Sequence, residues 1–165
     1  MAIPEKIKDY LLENALSYRH KTHPVAYTSL ETAAVDHVPG RELAKTVVVK
    51  SGGSLVLAVL PADCVIKMEA LKRGIGSKSL VLASENEFVW HFPSCQPGAM
   101  PPFGKLFGLP LYCDRALAAQ LEIEFNAGSH TDTIRMEFSE FERLEAPVIL
   151  GFAEKFTGKP MARAA

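Results

Sequence analysis

Two stretches of this chain have compositions suited to chemistry, and the first spans residues 126–133. It holds an amide, hydroxyl groups, the imidazole of His130 and the carboxylate of Asp132 within eight positions, between two segments of alternating polarity. An imidazole can exchange a proton near neutral pH, which makes His130 a candidate functional residue. A histidine in a loop is more often a hydrogen-bonded surface residue, and that interpretation stays open. Asn126 and Gly128 are also what a turn between antiparallel strands requires.

The second stretch is the proline-rich loop 96–104. Pro97, Pro101 and Pro102 stiffen the chain and remove backbone donors, while Gly98 and Gly104 permit positive φ or close approach. A rigid loop of this kind can present its remaining N–H groups to a carbonyl or a carboxylate. A stiff surface turn would have the same composition, so the residue types do not decide between the two interpretations.

Other constellations are weaker. Lys45 precedes an apolar segment, and at a sheet end it is either a functional cation or a solvated lysine. His20 and His23 are three residues apart, but no third ligand follows at metal-site spacing. Ser129, His130 and Asp132 form a triad only on paper, because adjacent residues seldom converge and no nucleophile elbow is present. Neither a phosphate-binding loop motif nor a dinucleotide fingerprint occurs, so no cofactor and no metal are expected.

Helix signals recur along the chain. A helix is predicted from apolar spacing between Ile7 and Leu16, with Pro4 in its first turn. Three capping boxes, which begin at Thr28, Ser84 and Ser139, predict further helix starts. Asp63 is expected to cap a helix that ends at Gly74.

Strand signals alternate with the helices. The apolar segments 46–50 and 55–60 flank a Ser-Gly-Gly-Ser turn and predict a hairpin covered on both faces. Residues 80–83 and 111–113 are short candidates, and segments 121–125 and 134–138 alternate as strands with one solvated face. The expected fold is one α/β domain over residues 1–150, with a mixed sheet. Residues 151–165, including Lys155, Lys159 and Arg163, are expected to form a frayed or helical tail.

Composition limits the function further. The chain has 165 residues, with 18 Lys and Arg against 19 Asp and Glu, so its formal charge is −1. Near-neutrality excludes a general nucleic-acid coat and leaves room for one small basic pocket. No apolar run reaches the roughly 18 residues of a membrane span, and the amino-terminal residues do not resemble a secretory signal. The 3 cysteines, Cys64, Cys95 and Cys113, contain no CxxC pair, so a reducing, cytoplasmic location is expected.

Five motifs, in this order, resemble the YbaK/ProX family of freestanding domains similar to the editing insertion of bacterial prolyl-tRNA synthetases. The resemblance runs from about residue 20 to residue 145 and implies a compact α/β domain whose curved, mixed, largely antiparallel sheet is surrounded by helices. The motifs are Thr28–Ala34, Glu42–Val49, Leu60–Asp63, Pro97–Gly104 and Phe125–His130.

The resemblance implies a trans-acting deacylase that hydrolyses the ester of a mischarged small amino acid on tRNA. Its partners would be the 3′ end of aminoacyl-tRNA and, as a further option, an aminoacyl-tRNA synthetase, with no membrane and no DNA. Lys45 matches the family's essential lysine, and His130 is the second candidate catalytic residue. The substrate-binding candidates are Thr46, Gly98, Ala99, Met100, Pro101, Pro102, Gly128 and Ser129. Two alternatives remain: a non-catalytic module that binds a nucleotide or another small molecule, and an interaction protein working beside a synthetase.

Overall fold

Helices and strands alternate along the chain in the computed structural model, which describes residues 2–158. The helices are α1 (Glu5–Glu13), α2 (Ser29–Val35), α3 (Met68–Ile75), α4 (Glu85–Phe88), α5 (Gly104–Phe107), α6 (Arg115–Ala118) and α7 (Phe138–Glu145), with a 3₁₀ turn at Val89–His91. The strands are β1 (Arg19–Thr22), β2 (Ala44–Ser51), β3 (Ser54–Pro61), β4 (Cys64–Ile66), β5 (Leu80–Leu82), β6 (Leu111–Asp114), β7 (Glu122–Ser129), β8 (Asp132–Glu137), β9 (Val148–Leu150) and β10 (Ala153–Lys155).

The strands are divided among three sheets. A five-stranded sheet has the order β5-β2-β3-β6-β9, a three-stranded sheet the order β1-β8-β7, and β4 pairs with β10. The β3–β6 and β6–β9 pairs are parallel and the other pairs are antiparallel. The predicted mixed, largely antiparallel α/β domain is confirmed. The three-stranded sheet does not extend the five-stranded one, because β2 already pairs with β3 and β5, and β7 meets the residue before β2 through a parallel bridge, Leu43–Glu124.

The central hairpin separates two apolar clusters. Its strands pair from Ala44–Pro61 to Ser51–Ser54, and Gly52 and Gly53 at the turn have φ of 56° and 92°, as a two-residue connection requires. Ala44 and Val48 face the larger cluster, which contains α1, whereas Val47 and Val49 face the smaller one. The predicted hairpin, covered on both faces, is confirmed.

Two of the predicted helix starts are confirmed by the structure, and two others are wrong. Thr28 caps α2 by accepting a hydrogen bond from the Glu31 N–H, and Ser84 forms a complete capping box with Glu87. Asp63 does not begin a helix, because the three residues after it pair with β10 and α3 starts only at Met68. Ser139 lies inside α7, whose N-cap is Glu137 at the end of β8.

The segment after Gly151 is not helical or frayed where it is described. Ala153–Lys155 is an edge strand against Cys64–Ile66, and Phe152 is 1% exposed. Asp114 fixes this segment because its Oδ1 accepts hydrogen bonds of 2.8 Å from the N–H groups of Phe152 and Ala153. Lys159 and Arg163, which were predicted to belong to a frayed or helical tail, lie outside the described residues. No helix within residues 2–158 is long and apolar enough to cross a bilayer.

Candidate functional site

The β7–β8 turn and the proline-rich loop are hydrogen-bonded to each other. Gly128 donates to the Ala99 carbonyl and accepts from the Gln96 N–H, both at 2.8 Å. The Gln96 side chain accepts from the His130 N–H at 2.8 Å, and His130 Nε2 lies 2.9 Å from the Pro97 carbonyl oxygen. The two stretches singled out in the sequence therefore form one site.

The hydrogen bond to Pro97 determines which nitrogen of His130 carries a proton. A carbonyl oxygen only accepts, so Nε2 must be the donor, and in the neutral ring Nδ1 is left with a free lone pair. Nδ1 is buried and has no partner within residues 2–158. His130 is 8% exposed, and its ring packs against that of Tyr27 with centroids 5.1 Å apart. His130 is thus a hydrogen-bond acceptor that the described part of the protein leaves unused.

Two glycines of this site have positive φ for different purposes. Gly98 has φ +83°, and a Cβ there would lie 3.6 Å from Cε1 of His130, in ordinary contact. Gly128 has φ +94°, and a Cβ there would lie 2.8 Å from Cδ of Pro4. Gly98 keeps the surface beside the imidazole open, whereas Gly128 lets the N-terminal segment pack against β7.

Most of the proline-rich loop belongs to the core. The buried residues of the loop are Ala99, Met100, Pro101, Pro102, Phe103 and Gly104. The Ala99 N–H is already bonded to Gln96, while the Gly98 N–H points at the Met100 sulfur at 3.3 Å, a weak acceptor. Of these two N–H groups, that of Gly98 is therefore the one with the weaker acceptor and the better placed to bind a ligand.

Lys45 is half-buried near the start of β2, where it lies opposite Leu60. Burial lowers the pKa of its ammonium group, and the nearby Cys64 and Asp63 oppose that shift. Asp63 also forms an ion pair of 3.4 Å with Lys155. No hydrogen bond or ion pair joins Lys45 to another residue in the described part of the chain, so its ammonium is available to a ligand.

Thr46 points to the opposite face of β2 from Lys45, because successive strand residues alternate. Thr46 therefore lies on the same face of β2 as Ala44 and Val48, which belong to the larger apolar cluster together with Met100. The Thr46 hydroxyl oxygen is buried without a partner among residues 2–158. The structure thus places Thr46 on the Met100 side of β2 and Lys45 on the opposite side.

Ser129 holds the turn together and is not part of a catalytic triad with His130. Its hydroxyl donates to Asp132 Oδ2 at 2.5 Å, and Asp132 Oδ1 lies 2.8 Å from Nε2 of His20. Burial alone would raise the pKa of Asp132, but hydrogen bonds from Ser129, His20 and Thr131 outweigh it and the pKa is lowered. The hydroxyl of Ser129 is committed to this carboxylate.

A buried charge cluster beside the site was missed by the sequence analysis. Glu124, expected on a solvated face, is 0% exposed and lies 3.2 Å from Lys21 Nζ. Thr133 Oγ1 lies 2.8 Å from Asp36 and 3.1 Å from Glu124. Burial, together with the hydrogen bond to Asp36, raises the pKa of Glu124 to about 7, while Lys21 opposes the shift. The sequence did contain a signal for this cluster: basic residues lie at alternate positions of β1, and acidic residues lie at alternate positions of β7.

Two surface clefts lie away from these residues. One of about 360 Å³ is lined by Arg19, Arg135 and Glu140, and one of about 260 Å³ by Leu109, Tyr112 and Glu145. Neither contains a candidate site residue. Within residues 2–158, no group of three or more His, Cys, Asp or Glu side chains is arranged to hold a metal ion.

Solved structures share this fold. The crystal structure of a hypothetical protein, APE2540, is 22% identical with TM-score 0.80, covering 90% of this chain and 99% of that one. A candidate trans-editing enzyme for prolyl tRNA synthetase is 19% identical with TM-score 0.80, covering 91% and 96%. A candidate signal transduction protein from Marinobacter aquaeolei VT8 is 19% identical with TM-score 0.74, covering 92% of this chain and 31% of that one.

Sequence comparison identifies the family. No curated protein matches this sequence significantly. Residues 23–144, well over half of the chain, match the family described as the aminoacyl-tRNA editing domain. The resemblance noted in the motifs is confirmed, and the chain belongs to the aminoacyl-tRNA editing domain family.

Proposed function

We propose that this protein is a trans-acting aminoacyl-tRNA deacylase. The observation that carries the proposal is the free, buried Nδ1 of His130, held beside Gly98 in a member of an editing family. In the reaction a water attacks the ester carbonyl carbon, and the bond to the ribose oxygen breaks. The products are the free amino acid and tRNA with its terminal hydroxyl restored.

The residues have distinct proposed roles. His130 Nδ1 orients the attacking water by accepting its hydrogen bond, and the Gly98 N–H stabilises the oxyanion that develops on the carbonyl oxygen. Lys45 binds the phosphate or the carbonyl group of the acylated 3′ end. Because the ribose already activates the ester, positioning and electrostatic stabilisation are sufficient and no side-chain nucleophile is needed.

The substrate is proposed to be a tRNA that carries a small amino acid, such as alanine, serine, threonine or cysteine. Thr46 and Met100 would line the pocket wall, and a pocket of fixed volume excludes larger side chains sterically. The neighbour described as a candidate trans-editing enzyme for prolyl tRNA synthetase makes tRNA for proline the first tRNA to test. The same neighbour is the reason for proposing an aminoacyl-tRNA synthetase as a partner protein.

A panel of aminoacyl-tRNAs tests this function. The wild-type protein should release the amino acid from at least one small aminoacyl-tRNA, and the Lys45→Ala variant should be folded and inactive. Tight binding of a nucleotide or an amino acid without turnover on any substrate would instead identify the non-catalytic module. Full turnover by the folded Lys45→Ala variant would contradict the role given to Lys45.

A further inference from the structure

The backbone directs the side chains of Asn126 and Lys45 to the same face of two neighbouring strands. Leu43 and Glu124 form a parallel bridge, in which the Glu124 N–H donates to the Glu42 carbonyl at 2.9 Å. Residues paired in parallel strands present their side chains on the same face, and strand side chains repeat with a period of two. Lys45 and Asn126 each lie two positions beyond the bridge, and the two strands contact each other. Both side chains therefore project to one face, where β2 and β7 cease to pair.

Asn126 has an unused acceptor on that face. Its Oδ1 is buried and has no partner within the described chain. The preceding residue on this face, Glu124, is bonded to Lys21 and Thr133. Burying a polar atom without a partner costs stability, so a native protein that keeps one usually does so for a ligand, a water or a catalytic role.

We propose that Asn126 is a further substrate-binding residue, which accepts a hydrogen bond donated by the aminoacylated ribose next to Lys45. This inference rests on the proposed deacylase function. The donor is either the α-ammonium group of the amino acid or a ribose hydroxyl. A neutral amide oxygen binds either one without adding a buried charge beside the ammonium group of Lys45.

Deacylation kinetics test the proposal. The Asn126→Ala variant should lose about tenfold or more in kcat/KM, the effect of one hydrogen bond to substrate. Asn126→Asp keeps an acceptor oxygen and should recover part of that loss. Asn86→Ala, at an exposed position of α4, is the matched control and should behave as wild type. Two modified substrates, an acyl-tRNA whose acyl group lacks the α-amino group and a tRNA ending in 2′-deoxyadenosine, identify the donor.

The effect of Asn126→Ala should disappear on whichever modified substrate lacks the donor. An equal loss of kcat/KM on the unmodified substrate and both modified ones, or no loss on any of them, would overturn the inference. Absence of turnover by the wild type on the whole panel would instead reject the deacylase function on which it rests.

A stability measurement separates binding from a structural role. Asn126→Leu fills the same space without an unpaired oxygen, so the free protein should melt at the wild-type temperature or higher while deacylation is lost. A lower melting temperature for this variant would assign Asn126 to the architecture of β7 and contradict the proposal.

Discussion

Nε2 of His130 lies 2.9 Å from the carbonyl oxygen of Pro97, and this hydrogen bond joins the β7–β8 turn to the proline-rich loop. It fixes the tautomer of the neutral ring, so that Nε2 carries the proton and Nδ1 keeps a free lone pair. The proposed chemistry depends on this arrangement, because a ring free to rotate would present either nitrogen to the substrate.

Replacement of His130 by alanine should lower kcat/KM for deacylation about 100-fold, the contribution of one positioned proton acceptor. His91→Ala is the matched control, since His91 is exposed in the 3₁₀ turn that follows α4. Single-turnover release of labelled amino acid measures the effect. Unchanged turnover by a folded His130→Ala protein would exclude the role in orienting water.

Gly98→Ala should reduce deacylation because the left-handed backbone at Gly98 sets the position of the Pro97 carbonyl. An alanine at positive φ costs about 1 kcal/mol of stability. Gly76, with φ +76° and open space around it at the end of α3, should pay the same cost when changed to alanine. Thermal unfolding should therefore shift equally in both variants, with catalytic loss confined to Gly98→Ala. Equal activity in the two would show that the loop conformation is not needed for the reaction.

Lys45→Met should abolish deacylation without destabilising the protein. Burial lowers the pKa of Lys45, so the folded protein binds this proton less tightly than the unfolded chain, and the charged amine costs stability at neutral pH. Lys50→Met, farther along β2, removes an exposed ion pair with Glu87 and should change stability little while activity is kept. Urea unfolding at pH 7 compares the three proteins. A clear loss of stability in Lys45→Met would contradict this account.

Glu124 should make the stability of the wild type fall as pH rises from about 4.5 to about 7. Its pKa is raised from 4.5 to about 7, so in that interval the folded state holds a proton that the unfolded state has released. Glu124→Gln removes this dependence and should gain up to about 3 kcal/mol relative to the wild type between pH 5 and pH 8. Unfolding curves at the two pH values measure the difference. A constant difference between the proteins would mean that Glu124 ionises normally.

Binding to tRNA should be weak and only modestly sensitive to salt. With a formal charge of −1 and Lys45 as the proposed local cation, few phosphates are neutralised. A plot of log affinity against log salt should then have a slope of about −1. A much steeper slope in a filter-binding titration would indicate extended contact with the tRNA body.

Local signals in the sequence predicted much of this fold. The two glycines of the Ser51–Ser54 turn determine the hairpin, and Thr28 and Ser84 act as caps because their partners lie only three residues away. The prediction that Asp63 caps a helix was wrong because the next residues pair with β10, about ninety positions later in the chain. The prediction that Glu124 lies on a solvated face was wrong because Lys21 and Asp36, which lie next to it, come from distant segments of the chain.

The candidate site was predictable to a similar extent. The sequence indicated His130 and Gly98, but only the fold reveals that Pro97 binds the imidazole. The burial of Met100 and Pro101 likewise depends on tertiary packing. Asn126 was interpreted as a turn residue, since no local pattern distinguishes a turn amide from one facing a lysine across two strands.

The contact between Gly128 and Pro4 makes the position of α1 a determinant of the site. Any side chain at position 128 would have to displace the chain just before α1, and with it the packing against which the His130 turn is built. Across relatives, the identity of residue 128 and the length of the amino-terminal helix should therefore vary together. A bulkier residue at 128 should occur only where that helix is shortened or moved.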